Sequence, residues 1–237
     1  MKRTLWLGCI IAVFSVVVVP TGALAHDEEE AEAAWGNANK EAREAFEKGD
    51  YALAEKHLQD AIEHAEEFGD KDVRLAVTLN NLAVLYSSQE KYEEATPLLH
   101  RAIEVWENAE GADSPKAAQG YSNLAVLYIN QRKYGDAEPL YRRALAVHEK
   151  TKGPEDPLVA RDLHDLAELL SEEKKYAEAD SLYKRSLAIA EKAFGPDDIT
   201  VGFTLENYAR MLRLTDRNKE AEVLEARARS IREKLGR

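Results

Sequence analysis

Residues 81–86 read N-L-A-V-L-Y, and residues 123–128 repeat the same six letters 42 positions later. The same step separates one set of glycines, one set of Asp or Ser residues and two sets of alanines. The sets are Gly69, Gly111, Gly153 and Gly195; Asp72, Ser114, Asp156 and Asp198; Ala83, Ala125, Ala167 and Ala209; and Ala95, Ala137, Ala179 and Ala221. A fixed period of this length predicts stacked supersecondary units that each contact only their neighbours.

Each unit is predicted to be a pair of α-helices. Asp72 is a good N-cap, because its carboxylate can accept hydrogen bonds from unpaired amides at a helix start. Apolar residues then recur at helical spacing from Val73 to Tyr86, and the polar stretch 87–91 indicates a turn. A second helix begins near Tyr92 and ends before Gly111, which we expect to be a left-handed C-cap.

The order of large and small residues in each unit resembles the tetratricopeptide repeat. The residues that carry the resemblance in one full unit are Tyr121, Leu124, Ala125, Tyr128, Ala137, Tyr141 and Ala144. The common form has 34 residues. The 42-residue step, with K-Y-x-x-A after the turn, resembles the kinesin light chain type. The resemblance implies an all-α, right-handed superhelical solenoid of about five antiparallel helix pairs.

The repeats account for residues 35–237, with approximate bounds 35–68, 72–109, 114–151, 156–193 and 198–235. The first is degenerate, as suits a terminal unit with one side in water. Residues 26–34 are acidic and small, and we expect them to form a flexible lead-in.

The N-terminus has the pattern of a secretory signal peptide. Lys2 and Arg3 precede an apolar run of about 15 residues, which is short of the roughly 20 that span a bilayer. Ala23 and Ala25 supply the small residues of a cleavage site. We therefore expect the mature chain to begin at His26, in a bacterial periplasm, with no membrane contact after cleavage. An uncleaved anchor and a lipoprotein modified at Cys9 are the alternatives.

Composition and motifs argue against nucleic-acid binding and against catalysis. The formal net charge is −12, whereas phosphate binding needs clustered Lys and Arg. The chain has no recognisable catalytic motif, and its six histidines are scattered. His57 and His64 could share a helix face, but no further ligand completes a metal set. We therefore predict a protein that is not an enzyme and needs no cofactor or metal.

A column of asparagines is the strongest candidate site. Asn81, Asn123 and Asn207 occupy one first-helix position, and asparagine is a poor residue inside a helix without a specific partner. An amide can both donate and accept, so it can bind the backbone of an extended peptide. In kinesin light chain-like repeats this position faces the concave groove. The alternative is that these amides bond the adjacent helix and order the stack.

Helical spacing extends the candidate groove to neighbouring positions. The predicted peptide-binding residues are Asn80, Asn81, Val84, Gln119, Asn123, Val126, Asn130, Arg161, His164, Asp165, Asn207 and Arg210. Asp165 stands where the clamp that some tetratricopeptide proteins use for a terminal carboxylate needs a cation. That acid argues against capture of a terminal carboxylate.

Two functions remain open from the sequence. The first is an exported, non-enzymatic scaffold that binds a protein or an extended peptide in the concave groove. The second is a self-assembling module that forms a homo-oligomer of a periplasmic complex without a peptide ligand.

Overall fold

The computed structural model describes residues 26–236, so the predicted signal segment 1–25, with its cleavage site, lies outside the described residues. These residues form ten α-helices and no strand, which confirms the all-α prediction. The helices are α1 His26–Glu47, α2 Tyr51–Glu66, α3 Val73–Ser88, α4 Tyr92–Glu110, α5 Pro115–Asn130, α6 Tyr134–Lys152, α7 Pro157–Glu172, α8 Tyr176–Phe194, α9 Ile199–Leu214 and α10 Asn218–Lys234.

The chain divides into two compact units. Unit one comprises residues 1–131 and unit two residues 132–237. In unit one α1 packs on α2, α3 on α4, and α5 follows on α4. In unit two α6 packs on α7, α7 on α8, and α9 on α10. Within each unit, consecutive helices are antiparallel neighbours, as the repeat pattern predicts.

Residues 26–34 differ from the prediction of a flexible lead-in, because they form the first turns of α1. Alanine and glutamate, which dominate this stretch, are strong helix formers. Acidic residues also favour the positive end of the helix dipole. The helix therefore begins well before Trp35.

The loops between repeats are capped as the sequence predicts. The side chain of Asp72 accepts from the Arg74 amide, and that of Ser114 from the Ala117 amide. Asp156 and Asp198 cap α7 and α9 in the same way. Gly111 has φ 91° and ψ 156°, so it has the expected positive φ but lies outside the left-handed helical region.

The turn inside each helix pair has a feature that the sequence analysis missed. Its central residue has positive φ in every pair, and only the first is glycine. These residues are Gly49 (φ 76°), Glu90 (60°), Arg132 (61°), Lys174 (64°) and Asp216 (59°). The left-handed region costs an ordinary L-residue about 1–2 kcal/mol, so the packed helices on either side hold the turns at Glu90, Lys174 and Asp216 in place.

Alanines form the close contacts between helices. Ala83, Ala95 and Ala102 are fully buried in unit one, at the places predicted for helix crossings. Gly120 has the same role for a larger neighbour, because a Cβ there would lie 2.7 Å from Ile103 Cγ1 and 3.0 Å from the Trp106 ring. No helix within residues 26–236 is both long enough and apolar enough to cross a membrane.

Candidate functional site

One line of accessible residues runs along each of the helices α5, α7 and α9, and we call each line an open stripe. Its members are spaced three or four residues apart, and equivalent members are 42 residues apart. They are Lys116, Gln119, Asn123, Val126 and Asn130 on α5; Leu158, Arg161, Asp165, Glu168 and Glu172 on α7; and Thr200, Phe203, Asn207, Arg210 and Leu214 on α9. The open stripes contain most of the residues that the sequence predicts for the groove.

The same line on α3 is closed. Its members Val77, Asn81 and Val84 are only 4%, 4% and 6% exposed, and the predicted residue Asn80 beside the line is 8% exposed. The structure therefore departs from the prediction at Asn80, Asn81 and Val84, because a peptide could not reach them without a rearrangement of the neighbouring helices. Ser88, at the end of α3, is exposed.

The asparagines of unit one bond to side chains of neighbouring repeats. Asn81 Nδ2 donates to Asn39 Oδ1 at 3.3 Å, and Asn123 Nδ2 donates to Asn80 Oδ1 at 2.7 Å. Gln119 Nε2 donates to Asn123 Oδ1 at 3.0 Å. These are the interhelical bonds that the stacking alternative requires. Asn39 belongs to the column and was missed, although it lies 42 residues before Asn81.

In unit two the column continues with a histidine. Asn207 Nδ2 lies 3.1 Å from His164 Nε2, and since an amide nitrogen only donates, the ring proton is assigned to Nδ1. That Nδ1 is buried and has no hydrogen-bond partner. Burial also lowers the pKa of His164, so its ring is neutral at pH 7. The ring contacts Tyr183 edge to face, with centroids 5.8 Å apart.

Among the described residues, the charged side chains of the α7 and α9 stripes are paired, except Asp165 and the exposed Glu172 at the end of α7. Arg210 Nη2 donates to Glu168 Oε1 at 2.7 Å, and Arg161 Nη2 lies 3.6 Å from the buried Asp162 Oδ1. Asp165 has no hydrogen bond or ion pair among the residues that the structure describes. Burial raises the pKa of Asp165 to about 7, against the opposing effect of Arg161.

Beneath the α7 stripe lies a buried His–Asp pair that the sequence analysis did not predict. His148 Nδ1 is 2.5 Å from Asp162 Oδ2, and the two side chains are 2% and 0% exposed. In unit one the residues 42 positions earlier are Trp106 and Gly120, where the indole fills the space above the glycine. The step of 14 between the partners in both pairs is the signal that could have found them. The His148–Asp162 pair is sealed in the core of unit two.

The described residues contain no metal site, and the recess found between their helices is small. Within residues 26–236 no group of three or more His, Cys, Asp or Glu side chains could hold a metal ion. A small recess in unit one lies between α3, α4 and α5. It is lined by Ala83, Val84, Ser87, Leu99, Asn123, Val126 and Leu127. This recess is too small for a partner protein, so the open stripes are the better candidates for a binding site.

Solved structures share this fold at low sequence identity. BtubC (BKLC) from P. vanneervenii is 22% identical, with a TM-score of 0.77 over 91% of this chain and 93% of that one. A Podosopora anserina protein with nearly identical TPR-like repeats, named after kinesin light chain, is 20% identical, with a TM-score of 0.75 over 90% and 99%. Aspartyl phosphate phosphatase F from Bacillus subtilis is 16% identical, with a TM-score of 0.74 over 89% and 54%. A comparison with curated proteins found no match.

The sequence also matches a family model directly. The model described as "Tetratricopeptide repeat" matches residues 45–108, 74–150, 116–192 and 163–234. Those matches overlap and cover nearly all of α2 to α10. The capped first helices, the alanine crossings and the 42-residue step agree with that assignment. The chain therefore belongs to the tetratricopeptide repeat family.

Proposed function

We propose that the protein binds an extended segment of a partner protein on the open stripes of α7 and α9. Repeats of this family point to a protein–protein interaction scaffold rather than to an enzyme. The observation that carries the proposal is that the two stripes adjoin each other within unit two. Glu168 bonds Arg210, and His164 bonds Asn207, so the facing positions on the two helices are in contact.

Phe203 gives this face an apolar anchor point. It stands on the α9 stripe and is 44% exposed. Exposed aromatic side chains surrounded by polar groups are typical of the residues that contribute most to protein binding. The paired charges around Phe203 would form the polar rim of such a site.

The α5 stripe of unit one offers a different chemistry. Gln119, Asn123 and Asn130 present amides, and Val126 lies between them. Asn130 Nδ2 is buried without a hydrogen-bond partner. Because Asn123 Nδ2 donates to Asn80 and Gln119 Nε2 donates to Asn123 Oδ1, we propose that these amides order the stack within unit one rather than bind a peptide.

A matched pair of phenylalanines tests the binding face. Peptides are selected from a random display library against the full chain, and their affinities are measured for two variants. Phe203→Ala should weaken binding at least about 10-fold, as loss of an aromatic anchor does. Phe194→Ala removes a phenylalanine of similar exposure, 49%, from the end of α8, and should leave binding unchanged. Equal effects of the two variants would contradict the proposed face.

Self-association is the second candidate, and exposed apolar residues in the last helix pair favour it. Leu214 and Val223 are well exposed, as is Leu235 just after α10. Sedimentation velocity over a wide concentration range, with no peptide present, tests this. A concentration-dependent dimer that Val223→Lys abolishes would support self-association, and a monomer throughout would contradict it.

We also propose that the protein is exported to a periplasm after cleavage behind Ala25. The basic start, the apolar run and the small residues at 23 and 25 support this. Intact mass measurement on the exported chain tests it. A mature protein that begins at His26 is expected, and a mass that retains residues 1–25 would indicate an anchor instead.

A further inference from the structure

We propose that Asp165 selects for a cationic side chain, Lys or Arg, in the peptide that binds the α7–α9 face. The inference rests on the proposed function, because it assigns a sequence preference to the same face. It arises from Asp165 as the one partly buried carboxylate of the α7 stripe without a hydrogen bond or ion pair among the described residues, since the other unpaired acid, Glu172, is exposed.

The charged groups around Asp165 form two close contacts between an arginine and an acid, and Asp165 belongs to neither. Arg161 lies against the buried Asp162, and Arg210 is bonded to Glu168 at 2.7 Å. Arg210 therefore has its own acid. Arg161 Nη2, in contrast, makes no hydrogen bond to Asp162, and Arg161 acts on Asp165 only through its charge. Neither the described part of α7 nor the described part of α9 supplies a cation within 4.0 Å of Asp165.

The surroundings of Asp165 make an unpaired charge costly. Its side chain is only partly accessible, in contrast to Glu172 one helical turn after Glu168. Burial disfavours the ionised form, which is why its pKa is raised to about 7. A ligand cation placed against it would restore the charged form and form a charge-assisted hydrogen bond. A ligand carboxylate at the same place would meet Asp165 and Glu168, two like charges.

A peptide side chain fits this site better than a metal ion. One monodentate carboxylate does not supply the several oxygen ligands that Ca²⁺ or Mg²⁺ needs. The chain has no cluster of three ligating residues within residues 26–236. A Lys ammonium or Arg guanidinium needs one acceptor and can leave its aliphatic stem on the exposed Phe203 ring.

Peptide display against the full chain tests the preference. Random peptides are selected on the wild type, and the consensus is read for a basic position. In the best peptide that basic residue is replaced by norleucine, which keeps the length of the stem and removes the charge. Affinities of both peptides are then measured for the wild type, for Asp165→Asn and for Glu233→Gln. The last removes one negative charge from an exposed part of α10 in the same unit.

We expect norleucine to weaken binding to the wild type and to Glu233→Gln by about 10-fold or more, the strength of a hydrogen bond between charged groups. The same replacement should change the affinity for Asp165→Asn less than about twofold. Asp165→Lys should select acidic residues at that position instead.

The outcomes separate this inference from the proposed function. Peptides that bind the wild type with no basic position, or a basic preference that Asp165→Asn keeps, would overturn the inference and leave the binding face intact. If selection yields no peptide that depends on Phe203, the proposed function and the inference both fail.

Discussion

Helices α3 and α7 place different residues at the same repeat positions, and the two lines of side chains have opposite exposure. On α3 the line reads Val77, Asn81, Val84 and Ser88, and its first three members are buried. On α7 the line reads Arg161, Asp165, Glu168 and Glu172, and all four are accessible. A repeat register alone therefore fixes which residues face one way, but not whether they remain open to a ligand.

The side chains themselves account for the difference. Valine and asparagine can be buried when the amides find partners, and Asn81 bonds Asn39 across to α1. A line of Arg, Asp and Glu cannot be buried in that way, because unpaired charges are costly to desolvate. The closed line therefore contributes stability, and the open line is available for binding.

The net charge of each unit does not match the charge of the residues on its open stripes. Residues 132–237 contain 21 Lys and Arg and 21 Asp and Glu, so the net charge of −12 belongs to residues 1–131. Unit one is nevertheless the unit whose α5 stripe carries amides and a valine in its central positions. Charge over a whole unit is therefore a poor guide to the charge of its binding face, which depends on a few positions.

The largest expected effect on stability comes from placing on α3 the acidic residue that α7 carries at the equivalent repeat position. Asn81→Asp would place a carboxylate at a buried position and set its oxygen against Asn39 Oδ1, where the amide now donates. We expect a loss of about 3 kcal/mol in the free energy of unfolding at pH 7, from desolvation and the lost hydrogen bond. Urea unfolding measures it.

The control for Asn81→Asp is the same change at an open position. Asn207→Asp on the α9 stripe should cost less than about 1 kcal/mol, because water can solvate the new carboxylate. Equal losses for the two variants would mean that the α3 line is as open as the α9 line.

The next largest effect is a pH-dependent gain in the free energy of unfolding when the unpaired charge of Asp165 on α7 is removed. The folded-state pKa of Asp165 is about 7, above its ordinary value of 3.8. The folded chain therefore holds this proton more tightly than the unfolded chain, and the ionisation of Asp165 costs stability progressively as pH rises from about 4 to 7. The charges of Arg161, Asp162 and Glu168 affect the pKa of Asp165. The charge of Asp165 in turn raises the pKa of Tyr141 and Tyr183.

Asp165→Asn should consequently be more stable than the wild type at pH 8, by about 2 kcal/mol once partial exposure is allowed for. The difference should shrink to nothing at about pH 3, below both pKa values, where the wild-type carboxyl is protonated in the folded and the unfolded state. Unfolding by urea at about pH 3, 6 and 8 measures this slope. A pH-independent difference would show that Asp165 is not desolvated.

The smallest effect concerns the ion pair between the two open stripes. Arg210 and Glu168 are 51% and 36% exposed, so the pair should contribute only about 0.5 kcal/mol. A double-mutant cycle of Arg210→Ala and Glu168→Ala on the free energy of unfolding measures the coupling. A coupling above about 2 kcal/mol would show that the α7–α9 face is more enclosed than an open stripe.

Much of the fold is readable from the sequence, because the signals are local. The 42-residue step, the Asp and Ser caps and the alanine crossings each follow from one position and its copies. The helical start of α1 was missed since the acidic stretch was judged by charge and not by helix propensity. The non-glycine turn residues, such as Lys174, were missed because packing of the two helices overrides backbone preference there.

The candidate site was predicted less completely than the fold. The groove register correctly placed Asp165 and Asn207 at accessible positions, yet it could not show that Asn81 is closed. Closure depends on whether a partner lies within reach on another helix, and that partner was Asn39 in a degenerate repeat. The His148–Asp162 pair joins two helices, and only comparison with Trp106 and Gly120, which stand 42 residues earlier with the same step of 14, could have indicated it.

The most direct test of the central claim, that a peptide binds the open stripes of unit two, is a chemical-shift map. Backbone amide and Asn side-chain signals of the full chain are followed by NMR as a display-selected peptide is added. The account predicts that shifts concentrate in residues 161–172 and 203–210, including the Asn207 side chain, while residues 77–84 stay unchanged. Shifts confined to α8 and α10, or centred on residues 77–84, would contradict it.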